Sequence, residues 1–247
     1  MNPDHRVLLL GGTGEARALA ALLVGEGRSV VSSLAGRVSA PALPVGEVRS
    51  GGFGGAEGLA SYLATTGIGA VVDATHPFAA NITRHAALAA TASGVPLLRL
   101  QRSGWSTHEL ASTFRWVDSV GEARGAAERY RRPFLTTGRQ QLAEFACWQD
   151  RYVLARVVDP PDWAVPPTWE VLQARGPFTA AAERGLMQSR RIDVLLTKDS
   201  GGPLTEAKLR AATDLDVALV VVRRPALPEG LPVVDTVEAA HEWLARL

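Results

Sequence analysis

Strand-like apolar runs alternating with helical segments, laid out twice along 247 residues, predict an α/β protein of two doubly wound, parallel-sheet domains. Three observations carry the prediction. Val7-Leu8-Leu9-Leu10 is a continuous apolar run typical of a strand buried on both faces, and it feeds Gly11-Gly12-Thr13-Gly14 and an alanine-rich helix. The same order returns at Phe134-Leu135-Thr136-Thr137-Gly138-Arg139, running into a helical pattern over 140–148. Each half then closes on a strand and a helix, Trp116-Val117-Asp118-Ser119 and Val233-Val234-Asp235-Thr236, with the hydroxyl residues placed as N-caps.

The intervening elements also correspond. Ala70-Val71-Val72-Asp73-Ala74-Thr75-His76-Pro77 is a strand ending in a polar loop, matched by Asp193-Val194-Leu195-Leu196-Thr197-Lys198-Asp199-Ser200-Gly201-Gly202. Pro96-Leu97-Leu98-Arg99-Leu100-Gln101-Arg102 is a strand ending in arginine, matched by 217–222 with Arg223-Arg224. The expectation is therefore two Rossmann-like domains, 1–130 and 131–247, divided near Arg131-Arg132-Pro133, with one large sheet as the competing arrangement. The two closing strands are alike enough that their exchange between the sheets stays open. Residues 46–58, with Gly51, Gly52, Gly54 and Gly55, read as a loop too flexible for an element interior. Residues 159–167, with four prolines around Trp163, read as a stiff connector.

Composition narrows the function classes. The chain is 47% hydrophobic and 21% charged with a formal net charge of +1, which is ordinary for a globular protein and gives no field to gather nucleic acid or anionic membrane. Lys198 and Lys208 are the only lysines among 26 basic residues, so the positive charge is almost all guanidinium, the group suited to bidentate grip on carboxylates and phosphates. The single cysteine, Cys147, excludes an intramolecular disulfide and is expected to pack beside Phe145 and Trp148. With no membrane-length apolar run and no signal peptide, the expected location is the cytoplasm. No histidine, cysteine or carboxylate spacing calls for a metal.

The first glycine turn carries the most chemistry. A strand, a tight turn and a helix N-terminus aim backbone N–H groups and the positive end of the helix dipole at one point, the usual seat of a phosphate. The expected cofactor residues are Gly11, Gly12, Thr13, Gly14, Glu15 and Ala16, although Arg17 stands where the third glycine of G-x-G-x-x-G would fall. About twenty residues on, where an NAD site carries a carboxylate for the ribose 2′-OH, the chain has Ser32, Ser33 and Arg37, with no Asp or Glu from 28 to 45. Hydroxyls and a guanidinium suit a 2′-phosphate, which predicts NADPH.

Ligands of doubly wound folds sit at the carboxyl ends of the strands. Pro77 pushes His76 out of helical geometry onto such an end, where its ring could donate a proton, and Asn81 follows on the next helix. Thr137, Gly138 and Arg139 form a second anion-suited turn. Arg99, Arg102, Lys198, Asp199, Ser200 and Gly201 lie at the other strand ends, and the expectation is that these groups converge on a cleft between the domains.

Taken in order, LLLGGTGEAR, DATHPFA followed by Asn81, LLRLQRSGW, FLTTGR and LLTKDSGG…TEAKL resemble the precorrin-6A reductase (cobalt-precorrin-6A reductase) family of cobalamin biosynthesis, over nearly the whole chain. The resemblance implies an NADPH-dependent oxidoreductase that converts precorrin-6A to precorrin-6B, with hydride to C19 and a proton to C18 of the macrocycle. It implies cofactor contacts at Gly12–Glu15 and at the second glycine turn. It also gives the arginines a purpose, since the substrate carries many acetate and propionate carboxylates. Under this reading His76 is the proton donor and Lys198 the second candidate. Asn81, Arg99, Arg102, Asp199, Ser200 and Gly201 hold substrate. A cobalt-containing substrate and a non-catalytic NADP(H)-sensing module stay open as alternatives, as does the oligomeric state.

Overall fold

The computed structural model describes residues 6–36, 42–202 and 205–247. The chain forms two compact units, Met1–Ser103 with Pro225–Leu247, and Gly104–Arg224. Each holds a six-stranded parallel sheet.

In the first unit the strands are β1 (Arg6–Leu10), β2 (Val30–Leu34), β3 (Glu47–Ser50), β4 (Ile68–Asp73), β5 (Leu97–Leu100) and, from the far end of the chain, β12 (Val233–Val234). Their order across the sheet is β12-β5-β4-β1-β2-β3. Helices α1 (Gly14–Gly25) and α7 (Val237–Ala245) cover one face, where Leu19, Leu23, Ala240 and Leu244 pack with Val7 and Leu9. Helices α2 (Ala56–Thr65) and α3 (Ala80–Ser93) cover the other, where Leu59, Leu63, Ala86 and Ala89 pack with Leu8, Leu10 and Val71. The alternation Val7/Leu9 against Leu8/Leu10 is the period of two that sends successive strand side chains to opposite faces. It explains why β1 reads as an unbroken apolar run.

In the second unit the strands are β6 (Arg115–Val117), β7 (Pro133–Thr136), β8 (Val153–Val157), β9 (Trp169–Gln173), β10 (Val194–Lys198) and β11 (Ala218–Val222), in the order β6-β11-β10-β7-β8-β9. The helices are α4 (Val120–Ala126), α5 (Ala180–Ser189) and α6 (Ala207–Asp214). Met187, Leu209 and Ala212 pack with Phe134, Leu195 and Leu219 on one face.

Both sheets thus have the doubly wound order 3-2-1-4-5-6, and the sixth strand is the one the sequence left ambiguous. Val220–Val222 of β11 pair with Arg115–Val117, and Arg99–Leu100 of β5 pair with Val233–Val234. The two closing strands are exchanged relative to chain order. This displaces the unit boundary from the expected Arg131–Pro133 to Ser103/Gly104 and Arg224/Pro225. An edge strand of two or three residues carries too little pattern to specify which sheet it completes.

Three local expectations also change. The 46–58 stretch holds β3 and the start of α2, paired through Val31–Leu34 of β2. The second glycine turn opens a seven-residue 3-10 helix, Arg139–Phe145, and no α-helix. Cys147 is exposed while Phe145 and Trp148 are buried. The N-caps are as expected: Ser119 Oγ accepts from Glu122 N–H, and Thr236 Oγ1 from Ala239 N–H. Among the described residues no helix is long and apolar enough to cross a membrane.

Candidate functional site

The first unit reverses strand order between β1 and β4, the place where doubly wound sheets open a crevice. Two loops meet there. Thr13 caps α1, its Oγ1 accepting from Ala16 N–H at 3.1 Å and donating to Ala74 O at 2.7 Å, so one side chain shapes the helix start and ties it to the β4 loop. Gly11 donates to Ser33 O at 2.9 Å, and a Cβ there would meet Leu34 Cδ2 at 3.4 Å. Gly12 has φ of +113°, a conformation L side chains rarely adopt, and a Cβ on it would enter open space. The turn therefore presents bare backbone to solvent above a twelve-residue α-helix, the cradle a dinucleotide pyrophosphate needs. Gly14 begins that helix and Ala16 is buried beneath it.

Glu15, expected at the cofactor, and Arg102, expected at the substrate, are each other's counter-ion, with Nη1 2.9 Å from Oε2. Ser32 and Ser33, at the end of β2, are both buried, and Ser32 Oγ has no hydrogen-bond partner. Arg37 lies outside the described residues. A guanidinium nevertheless reaches this place from the neighbouring strand: Arg49 Nη1 donates to Ser33 Oγ at 2.7 Å. Sequence reading missed Arg49 because the glycine-rich stretch around it concealed β3; the pairing of Ser33 with Arg49 exists only once the strands are aligned.

On the β4 side, Asp73 and Arg99 correct an expectation. Arg99 has no exposed surface; its Nη1 lies 2.7 Å from Asp73 Oδ1 and also reaches Thr75 Oγ1 and Asp73 O, while Nη2 donates to Thr75 O and Gln101 Oε1 and Nε to Gln101 Oε1. Asp73 also accepts from Thr75 N–H and from Thr83 Oγ1 at 2.6 Å. Burial pulls the Arg99 pKa below its usual value, against the upward pull of Asp73. Arg99 thus positions the loop that carries His76; it is not placed to hold substrate itself. Removing either partner would strand a buried charge, which is how such a pair fixes a loop.

That loop delivers His76 to the surface. Pro77 follows it, the His76–Ala79 turn is closed by Ala79 N–H to His76 O at 2.8 Å, and His76 Nδ1 accepts from Phe78 N–H at 3.2 Å. In the neutral ring the proton is therefore on Nε2, turned away from its own backbone. Asn81 is exposed in the first turn of α3.

The second unit reverses strand order between β7 and β10. Thr137 is 2% exposed and its Oγ1 lacks a partner, Gly138 has φ of +87°, and Arg139 Nη1 reaches Pro160 O at 3.4 Å. Because a short 3-10 helix follows, this turn has little of the dipole that makes the first turn a phosphate site. Lys198 ends β10, and burial pushes its pKa down to about 8. Asp199 corrects a further expectation. Its Oδ1 accepts from Trp105 N–H at 2.9 Å, its Oδ2 lies 3.5 Å from Arg224 Nε, and its carbonyl accepts from the same Nε at 3.0 Å. Asp199 therefore staples together the two ends of the second unit. Ser200 folds back, N–H to Lys198 O at 2.6 Å, and Gly201 accepts from Thr205 Oγ1 at 2.7 Å.

The open turn at Gly12, the orphaned hydroxyl of Ser32 and the guanidinium at Ser33 fit a phosphorylated dinucleotide in the first unit. An exposed histidine and a lysine whose pKa burial lowers to about 8 offer proton transfer at the two switch points.

Comparison with known proteins points to one family. Residues 6–245 match the family described as precorrin-6x reductase CbiJ/CobK. The precorrin-6A reductase of Rhodococcus erythropolis is 51% identical over 243 residues, 98% of each chain. That of Mycobacterium tuberculosis (strain CDC 1551 / Oshkosh) is 48% identical over 244 residues, again 98% of each. The solved structure of CobK precorrin-6A reductase matches with a TM-score of 0.90 at 38% identity, over 98% of this chain and 96% of that one. The chain therefore belongs to the precorrin-6x reductase family.

Proposed function

We propose that this chain is a cytoplasmic NADPH-dependent reductase that converts precorrin-6A to precorrin-6B. The observation that carries the reading is the bare, positive-φ turn at Gly12 over the α1 N-terminus, in a chain whose relatives are named precorrin-6A reductases. Backbone N–H groups from Gly12 to Glu15 would hold the pyrophosphate, and the end of β2 the adenosine ribose. When bound, NADPH supplies the hydride for C19 of the macrocycle, and the C18 proton comes from the protein or water.

The chain's own contribution is positioning and charge. The Asp73–Arg99 pair holds the β4 loop so that His76 keeps one orientation, with Nε2 as the outward edge through which its imidazolium form would hand on a proton. Lys198, half-neutralised near pH 8, is the second candidate for that proton donor or, keeping its proton, a cation for the charge that reduction places on the conjugated ring. In the first unit Arg102 and Asn81 would offer donors to the acetate and propionate groups, orienting the face that is reduced. Thr137 Oγ1 is a buried hydroxyl still able to take a ligand.

Anaerobic incubation with NADPH and precorrin-6A, following nicotinamide absorbance and the macrocycle spectrum together, tests the reading. Stoichiometric oxidation with a shifted chromophore is the expected result. Oxidation only with the cobalt form would move the chain to the cobalt-precorrin route, and binding without oxidation would leave a nucleotide sensor.

A further inference from the structure

Arg156, one residue from the end of β8, has a side chain only 8% exposed and is held by three groups. Its Nη1 lies 2.6 Å from Glu183 Oε1 on α5, and its guanidinium carbon lies 3.8 Å from the centre of the Phe178 ring and 5.0 Å from that of Phe134. Among the described residues the bond to Glu183 is its only hydrogen bond, so Nε and Nη2 have no acceptor. One carboxylate and two rings thus fix the guanidinium while leaving it a planar edge of N–H groups, oriented before any ligand arrives.

Arg156 lines a cavity of about 110 Å³ together with Glu183, Thr205 and Lys208. At ~30 Å³ per water this is room for roughly three or four waters or one small polyatomic ion, and too little for a nucleotide or a macrocycle. Lys208, 7% exposed, brings an ammonium from the first turn of α6, its Nζ 3.0 Å from Thr205 O and 5.0 Å from the centre of the Trp105 ring. That helix has no side-chain cap, and its N-cap residue Glu206 is engaged by His108 and Arg210, so the helix start adds positive potential to the cavity wall. Glu183 is 1% exposed, and its Oε2 has no hydrogen-bond partner. Two cations beside a helix N-terminus call for an anion, while the unsatisfied carboxylate oxygen calls for a donor. A fully ionised anion answers only the first, since Glu183 would repel it. An oxyanion that keeps a proton answers both.

We infer that Arg156, Lys208 and Glu183 form a site on the second unit for a small, proton-bearing oxyanion, with inorganic phosphate as its probe. The guanidinium edge and the ammonium take the charged oxygens, and the anion's O–H donates to Glu183 Oε2. None of the three residues belongs to the turn at Gly12 or to the strand end at Lys198, so the site goes beyond the reductase reading and does not rest on it.

Calorimetric titration of the whole chain near pH 7, at constant ionic strength, compares phosphate with sulfate, which has the same shape and carries no proton there. The wild-type protein should bind phosphate at least about tenfold more tightly, the worth of one hydrogen bond to a charged group. Glu183→Gln should bring the two affinities within about threefold, because an amide can donate to either ion. Lys208→Met should weaken both by about tenfold. Arg156→Met combined with Glu183→Gln removes both members of the buried pair together, which leaves no unpaired charge inside, and should abolish binding in a chain whose circular dichroism is unchanged. Wild-type protein that takes sulfate as tightly as phosphate, or binds neither in the millimolar range, overturns the site. So does phosphate binding that survives in the folded double variant, or that disappears in Gly12→Ala, which would put the ion on the glycine turn.

Discussion

Asp73 and Arg99 form an ion pair with no exposed surface, 2.7 Å between Oδ1 and Nη1, at neighbouring positions in the register of β4 and β5. The same two side chains collect Thr75, Thr83 and Gln101, so the polar end of β4 is built around one buried charge pair. Asp73→Ala should cost about 3–5 kcal/mol, because it leaves the guanidinium buried without its counter-charge. Urea denaturation measures this. A loss below about 1 kcal/mol would mean that the loop's carbonyls and Gln101 satisfy Arg99 unaided.

His76 is exposed and its ring accepts from Phe78 N–H, so His76→Ala should lower the melting temperature only slightly. Loss of a general acid lowers turnover by about a hundredfold. Steady-state kinetics beside a thermal melt separates the two effects, and unchanged turnover would remove His76 from the chemistry.

Burial lowers the Lys198 pKa from 10.5 to about 8. The ammonium is thus present below about pH 8 and lost above it, so a proton donated by Lys198 makes turnover fall as pH rises through that value. Lys198→Met should flatten this limb of the pH–rate profile. A wild-type profile already flat from about pH 7 to 9 would assign the proton elsewhere.

Gly12 combines φ of +113° with open space where a Cβ would be. Gly12→Ala should destabilise the chain by about 1–3 kcal/mol through backbone strain alone. It should also weaken NADPH binding at least about tenfold, since the methyl group occupies ground the ligand needs. Fluorescence titration with NADPH checks the second effect. Unaltered affinity in a folded variant would place the nucleotide away from this turn.

Thr13 joins the two loops of the first switch point. Thr13→Val keeps the shape but loses both the cap and the bond to Ala74 O, and should cost about 1–3 kcal/mol by chemical denaturation. A cost near zero would show that the loops hold each other without it.

The α/β class, the paired halves and the first glycine turn were determined by the sequence alone. Their signals are local: Val7–Leu10 is apolar because both faces of β1 are covered, and Gly12 is glycine because its φ demands it. The N-caps at Ser119 and Thr236 were legible for the same reason, each read from a few adjacent residues. Only the tertiary structure decided the rest. Which sheet receives Trp116 and which receives Val233 depends on strands far away in sequence, and two or three edge residues carry no record of that choice. Arg99 and Asp199 looked like ligand-gripping groups at strand ends; their partners, Asp73 and the Trp105/Arg224 pair, come from other segments and turn both inward. Arg49 was overlooked for the converse reason. Its meaning comes from Ser33 on the adjacent strand, a neighbour that hydrogen-bonded register creates and chain order conceals.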